Sequence, residues 1–137
     1  MIAASIFRHG VGNIYYLAVF AVIMGIGSNC TEHAVEKARA AEQNGADALL
    51  AVTPYYNKAN PDGLYSHYLA IAHAVKIPVI IYNVPGRTGV NMTAETTCRL
   101  AADSDNIIAV KEASGKIDQI DQIIKNCPKD FLVLSGD

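Results

Sequence analysis

Cationic clusters are missing from this chain. Its 11 Lys and Arg are outnumbered by 13 Asp and Glu, for a formal net charge of −2. No electrostatic basis therefore exists for binding nucleic acid or an anionic membrane. Cysteine is scarce and odd in number: Cys30, Cys98 and Cys127 are far apart, with no Cys-x-x-Cys. That excludes zinc and thiol-redox motifs, and the pattern reads as reduced thiols in a cytoplasmic setting. The histidines, His9, His33, His67 and His73, offer no metal-binding spacing on one helical face. His67 and His73 are expected at solvated helix positions. Long apolar runs are lacking too. Ile14 to Ile26 falls short of the roughly 20 residues that span a bilayer. It has the length of a signal-peptide core but no small-x-small cleavage site before a polar start. Its second half reads as a buried strand.

What is present is enough apolar material for one domain with a core: 137 residues, 51% hydrophobic and 18% charged. Strand-like and helix-like stretches alternate. "AVFAVIMGIG" is followed by "TEHAVEKARAAEQNG", with Ala34, Val35, Ala38 and Ala41 on one face, Asn29 or Thr31 as its cap and Gly45 as its end. "ADALLAVTP" precedes "PDGLYSHYLAIAHAVK", where Leu64, Tyr68, Ile71 and Val75 form a stripe and Pro61 suits the first turn. "IPVIIYN" leads to "TAETTCRLAAD", opened by Thr93. "NIIAVKE" leads to "KIDQIDQIIKN", with Ile117, Ile120 and Ile124 aligned, and "FLVLSGD" is a fifth strand. Continuous apolar strands between amphipathic helices imply a parallel sheet covered by helices.

Two α/β architectures fit: an open doubly wound sheet, flavodoxin-like at this length, or part of a (β/α)8 barrel. The unusual residues decide between them. "TPYYN", "YNVPGR", "KEASG" and "SGD" each fall at a strand's carboxyl end. A doubly wound sheet concentrates site residues at one switch point, whereas a barrel aims every strand end at one centre. A partial barrel is therefore expected. "GIGSNC" is a poor dinucleotide fingerprint, since Cys30 stands where the third glycine belongs and Asp47 opens the next strand rather than ending it. A tight turn at Gly25 and Gly27 is the better reading.

Lys111 is the sharpest residue. A buried strand has no natural place for an ammonium, so it either snorkels or pairs with a carboxylate such as Glu112, or it serves as a Schiff-base amine. Tyr82, one strand earlier, is either a core tyrosine or a proton relay. Arg87 is either a surface charge or a guanidinium fork for a carboxylate. Of the adjacent Tyr55 and Tyr56, at most one can line the same site.

"TPYYNK", "YNVPGRTG", "KEASG" and "LSGD", in this order and spacing, resemble the dihydrodipicolinate synthase family of pyruvate-dependent class I aldolases, over roughly Val22 to Asp137. The resemblance implies a (β/α)8 barrel, usually tetrameric, that condenses pyruvate with aspartate semialdehyde in lysine biosynthesis without metal or organic cofactor. It implies that Lys111 forms the imine and Tyr82 relays protons. Tyr56 would complete the relay of a neighbouring subunit, Arg87 would bind carboxylate, and Gly136 would line the site floor. Related sugar-acid aldolases share the Tyr and Lys; the Arg in "PGRTG" leans toward the synthase. A lysine-responsive site would use Asn29 and Tyr55, but His33 stands where lysine-sensitive members carry an acid, so weak lysine inhibition is expected.

Residues 1–21 match nothing in the family pattern, and residues 22–137 would supply about strands three to seven of the barrel. The Gly-Thr-Thr-Gly-Glu segment, whose threonine completes the relay, is missing. The expectation is a truncated synthase-like chain. Its alternatives are a non-catalytic remnant acting as an interaction protein, and a related keto-acid sugar aldolase.

Overall fold

The computed structural model describes residues 21–136; the first part of the apolar run at Ile14 lies outside them. Five strands, β1 (Ile23–Gly25), β2 (Ala48–Val52), β3 (Val79–Asn83), β4 (Ile107–Glu112) and β5 (Leu132–Ser135), alternate with helices. The helices are α1 (Thr31–Gln43), α2 (Pro61–Ala74), the short α3 (Pro85–Thr88), α4 (Ala94–Asp103) and α5 (Ile117–Asn126). All neighbouring strands are parallel, in the sequential order β1-β2-β3-β4-β5. A doubly wound sheet reverses its order at a switch point; this one never does. The flavodoxin-like alternative falls, and the arc is that of a partial (β/α)8 barrel.

The two faces of the arc differ. Leu49, Ala51, Val79, Ile81, Asn83 and Val110 are buried beneath the helices. Each large apolar side chain there contributes roughly 1.5–3 kcal/mol. The stripe foreseen on α2 is buried in full, and the Tyr68 hydroxyl donates to Ala51 O at 2.8 Å. The other face carries Leu50, Val52, Tyr82 and Lys111, all only partly covered. Between β3 and β4 the register shifts: Val79 pairs with Ile107, but Ile80 already pairs with Ala109, leaving Ile108 as an extra residue.

Local signals set most helix ends. Asn60 caps α2 by accepting from Gly63 N, and Thr93 caps α4 by accepting from Thr96 N. Gly45, at φ 81°, follows α1. The start of α1 departs from expectation. Its N-cap is Cys30, because Ser28 Oγ takes the Cys30 N–H and Thr31 Oγ1 is engaged by His67 Nδ1 at 2.9 Å. Gly25 simply ends β1 in open space, whereas a Cβ on Gly27 would strike the Val52 side chain.

Four further expectations are corrected. β1 is not buried: Val22 and Met24 are exposed at the sheet edge, with no strand beyond them among the described residues. His67 is buried between α1 and α2 rather than solvated, although His73 is exposed. On α5 the buried position is Ile123, while Ile117 and Ile124 are exposed, since among the described residues no element packs on their side. Finally, Cys98 and Cys127 are not separate thiols; they form a disulfide between α4 and the end of α5, leaving Cys30 free. Linear distance hid this pair, because the intervening βα unit returns the chain to its start. Among the described residues no helix is long and apolar enough to cross a membrane.

Candidate functional site

Tyr82 and Lys111 occupy equivalent places near the carboxyl ends of β3 and β4 and are direct register partners. Partners in parallel strands project to the same face, here the open one. The row continues to Val52 on β2 and Leu134 on β5. Lys111 Nζ lies 4.4 Å from the Tyr82 ring centroid, within the range of a cation–π contact. Among the described residues Lys111 makes no ion pair. Glu112, one residue on, points to the helix-covered face and is 2% exposed. A half-buried amine near the end of a strand, beside a phenol, has the chemistry to react with a carbonyl compound.

The remaining candidates flank this pair at the same edge. Tyr56 follows β2 in the left-handed region, φ 72°, a conformation that costs a bulky residue on the order of 1–3 kcal/mol. Its N–H donates to Thr88 O, and its side chain is 87% exposed. Arg87 lies on the short turn α3 and is exposed. Gly136 follows β5; its N–H donates to Glu112 O at 2.9 Å, and a Cβ there would sit 2.7 Å from Ala113 Cβ. Only glycine allows this approach to the strand end that carries Lys111. Asn29 and Tyr55 lie on the loops that follow β1 and β2: the Asn29 carbonyl accepts from Asn57 Nδ2, and Tyr55 is exposed. His33 is exposed on α1.

Sequence reasoning missed two polar groups here. Thr53 and Thr88, both buried, join the "TPYY" loop to α3 through a 3.3 Å hydroxyl contact. Asn83 and Glu112 form a buried pair on the far side of the sheet from Tyr82 and Lys111. The available signal was positional: a polar residue follows each candidate at the end of an otherwise apolar strand.

These features define a (β/α)8-type chain with a polar site on its carboxyl edge. The model of the dihydrodipicolinate synthetase family matches residues 18–137, and the chain belongs to that family. It is 59% identical over 116 residues to the 4-hydroxy-tetrahydrodipicolinate synthase of Parabacteroides distasonis, covering 85% of this chain and 39% of that protein. It is 55% identical to the synthase of Archaeoglobus fulgidus, covering 85% of this chain and 40% of that protein. Among solved structures it resembles dihydrodipicolinate synthase from Cyanidioschyzon merolae with lysine bound, at TM-score 0.84 and 47% identity, covering 85% of this chain and 40% of that one. It also resembles the chloride-inhibited synthase of Acinetobacter baumannii complexed with pyruvate, at TM-score 0.81 and 48% identity, with the same coverage. The chain thus spans about two fifths of the length of the curated relatives it matches.

Proposed function

We propose that this chain carries the imine-forming part of a 4-hydroxy-tetrahydrodipicolinate synthase, acting on pyruvate and aspartate semialdehyde in the cytoplasm as a homo-oligomer. The unprotonated Lys111 amine would attack the pyruvate carbonyl and lose water to give an imine. Loss of a methyl proton gives the enamine that adds to the aldehyde. Tyr82 would move protons at the carbinolamine and the new alkoxide. Arg87 would hold a carboxylate by its guanidinium fork, Tyr56 would complete the relay of a neighbouring subunit, and Gly136 would keep β5 close beneath the site. The observation that carries this reading is the same-face pairing of Lys111 with Tyr82, its Nζ 4.4 Å from the ring centroid.

Pyruvate followed by borohydride is expected to leave one reduced adduct on the folded chain, mapped to Lys111 by peptide mass spectrometry and absent from Lys111→Ala. A folded chain that gains no adduct would overturn the reading. It would favour a non-catalytic interaction protein, for which the uncovered sheet face speaks, provided the sample melts cooperatively at a defined size.

Regulation by lysine is proposed to be weak. Asn29 and Tyr55 remain in place, but the imidazole of His33 offers a cationic ligand no carboxylate. Isothermal titration with lysine is expected to show little heat; tight binding would contradict this.

A further inference from the structure

The far side of the Lys111 strand carries a charge that the proposed chemistry leaves unused. Glu112 is buried and makes no ion pair among the described residues. Neutral donors surround it instead. Asn83 Nδ2 reaches both oxygens at 3.1 Å, Ser114 N donates to Oε1 at 2.8 Å, and Gln119 Nε2 donates to Oε2 at 3.1 Å. The amide orientations are fixed by their second partners. Asn83 Oδ1 accepts from Met92 N at 2.9 Å, and Gln119 Oε1 accepts from Asn91 Nδ2 at 2.8 Å. Every group facing Glu112 therefore donates, as a carboxylate requires.

Such a group is a poor choice for stability alone. A buried carboxylate without a counter-ion loses more solvation than neutral hydrogen bonds readily restore, and an apolar pair would fill the space at lower cost. The placement supplies the reason. Asn83 and Glu112 are register partners, one peptide bond beyond the partners Tyr82 and Lys111. The network fastens four segments together: the end of β3, the stretch at Asn91 and Met92, the end of β4, and the first turn of α5. It fixes the backbone directly beneath the reactive pair while adding nothing to the reacting face.

We propose that Asn83 and Glu112 are positioning residues, a buried amide–carboxylate clamp that sets how the Lys111 amine meets the Tyr82 ring on the opposite face. Its catalytic significance rests on the reading of Lys111 as the imine-forming amine. Its geometric content does not.

The test separates the two. Reductive methylation with 13C-formaldehyde labels the lysines. In the parent, the Lys111 methyl signal, assigned with Lys111→Arg, is expected upfield of exposed lysines because of the Tyr82 ring current; Tyr82→Leu removes that displacement. In Glu112→Gln, one oxygen becomes a donor facing donors. The displacement is expected to collapse toward the exposed-lysine position, and borohydride trapping with pyruvate, on unmethylated protein, is expected to slow by at least about tenfold. A folded Glu112→Gln chain that keeps both the displacement and a trapping rate within about twofold of the parent overturns the proposal. If Glu112→Gln does not melt cooperatively, Gln119→Ala, which removes one donor, is read by the same criteria. A parent that shows the displaced signal but no adduct counts against the imine chemistry, and the clamp is then judged on the displacement alone.

Discussion

At the residue scale, His67 shows how burial changes a side chain that sequence places on a surface. It lies on α2 against Thr31, its Nδ1 is bonded, and its Nε2 has no partner among the described residues. Burial pulls its pKa from 6.5 down to about 4, because the charged ring would lose its hydration. The ring is neutral in the folded chain at neutral pH, while the unfolded chain binds a proton near 6.5. Its contribution to stability is therefore fully present above 6.5 and is lost as pH falls toward 4. The melting temperature is expected to drop across that window, and His67→Leu is expected to flatten this limb of a melting-temperature profile taken from pH 7.5 to 4. An unchanged profile would contradict the assignment. The pairing of Lys111 with Tyr82 was legible because each breaks an apolar strand pattern at a carboxyl end, whereas Gly136 entered only through the family resemblance. The buried state of His67 was not legible, since the helical stripe of α2 runs through Leu64, Tyr68 and Ile71 and a histidine beside it reads equally well as boundary or surface.

At the element scale, the strands were the most legible features. Among the caps Thr93 was legible, standing just ahead of a helical pattern and accepting an N–H three residues on; Asn60 does the same for α2, while the α1 cap was not legible. The short α3, four residues long, was not legible, being too brief to show periodicity. The Cys98–Cys127 disulfide depends on how α4 and α5 return to the same side of β4, information that no local window contains. It closes a loop between residues 29 apart in sequence, a constraint that loop-entropy reasoning values at about 3–4 kcal/mol. Reduction with dithiothreitol, or Cys98→Ser, is expected to lower the urea midpoint accordingly, with little effect on the Lys111 edge. Equal midpoints with and without reductant would show that the link contributes nothing to stability.

At the scale of the whole molecule, the alternation of strands and helices announced a parallel α/β layer, and the spread of polar clusters over successive strand ends favoured an arc over a doubly wound sheet. Which strand faces meet solvent was less legible. The exposed Leu132 and Leu134 and the bare side of α5 at Ile117 and Ile124 are as apolar as any core position, so composition alone hides their exposure. Register was not legible at all. Side chains alternate with period two, and "NIIAVKE" offers no marker of where that alternation is interrupted. The shift between Val79 and Ile80 thereby acquires a meaning for the chain's tolerance of length change. If Ile108 instead entered the ladder opposite Ile80, Tyr82 would stand beside Val110, while Lys111 would take its place next to Asn83, inside the helix layer. The hydrophobic strand would survive and the amine would be lost to the reacting surface. Deleting Ile108 would only smooth the strand and leave Tyr82 beside Lys111. The surplus isoleucine thus works as slack that absorbs one residue of excess length, and one more residue inserted between Asn106 and Lys111 would need a second such irregularity to keep the amine where it is.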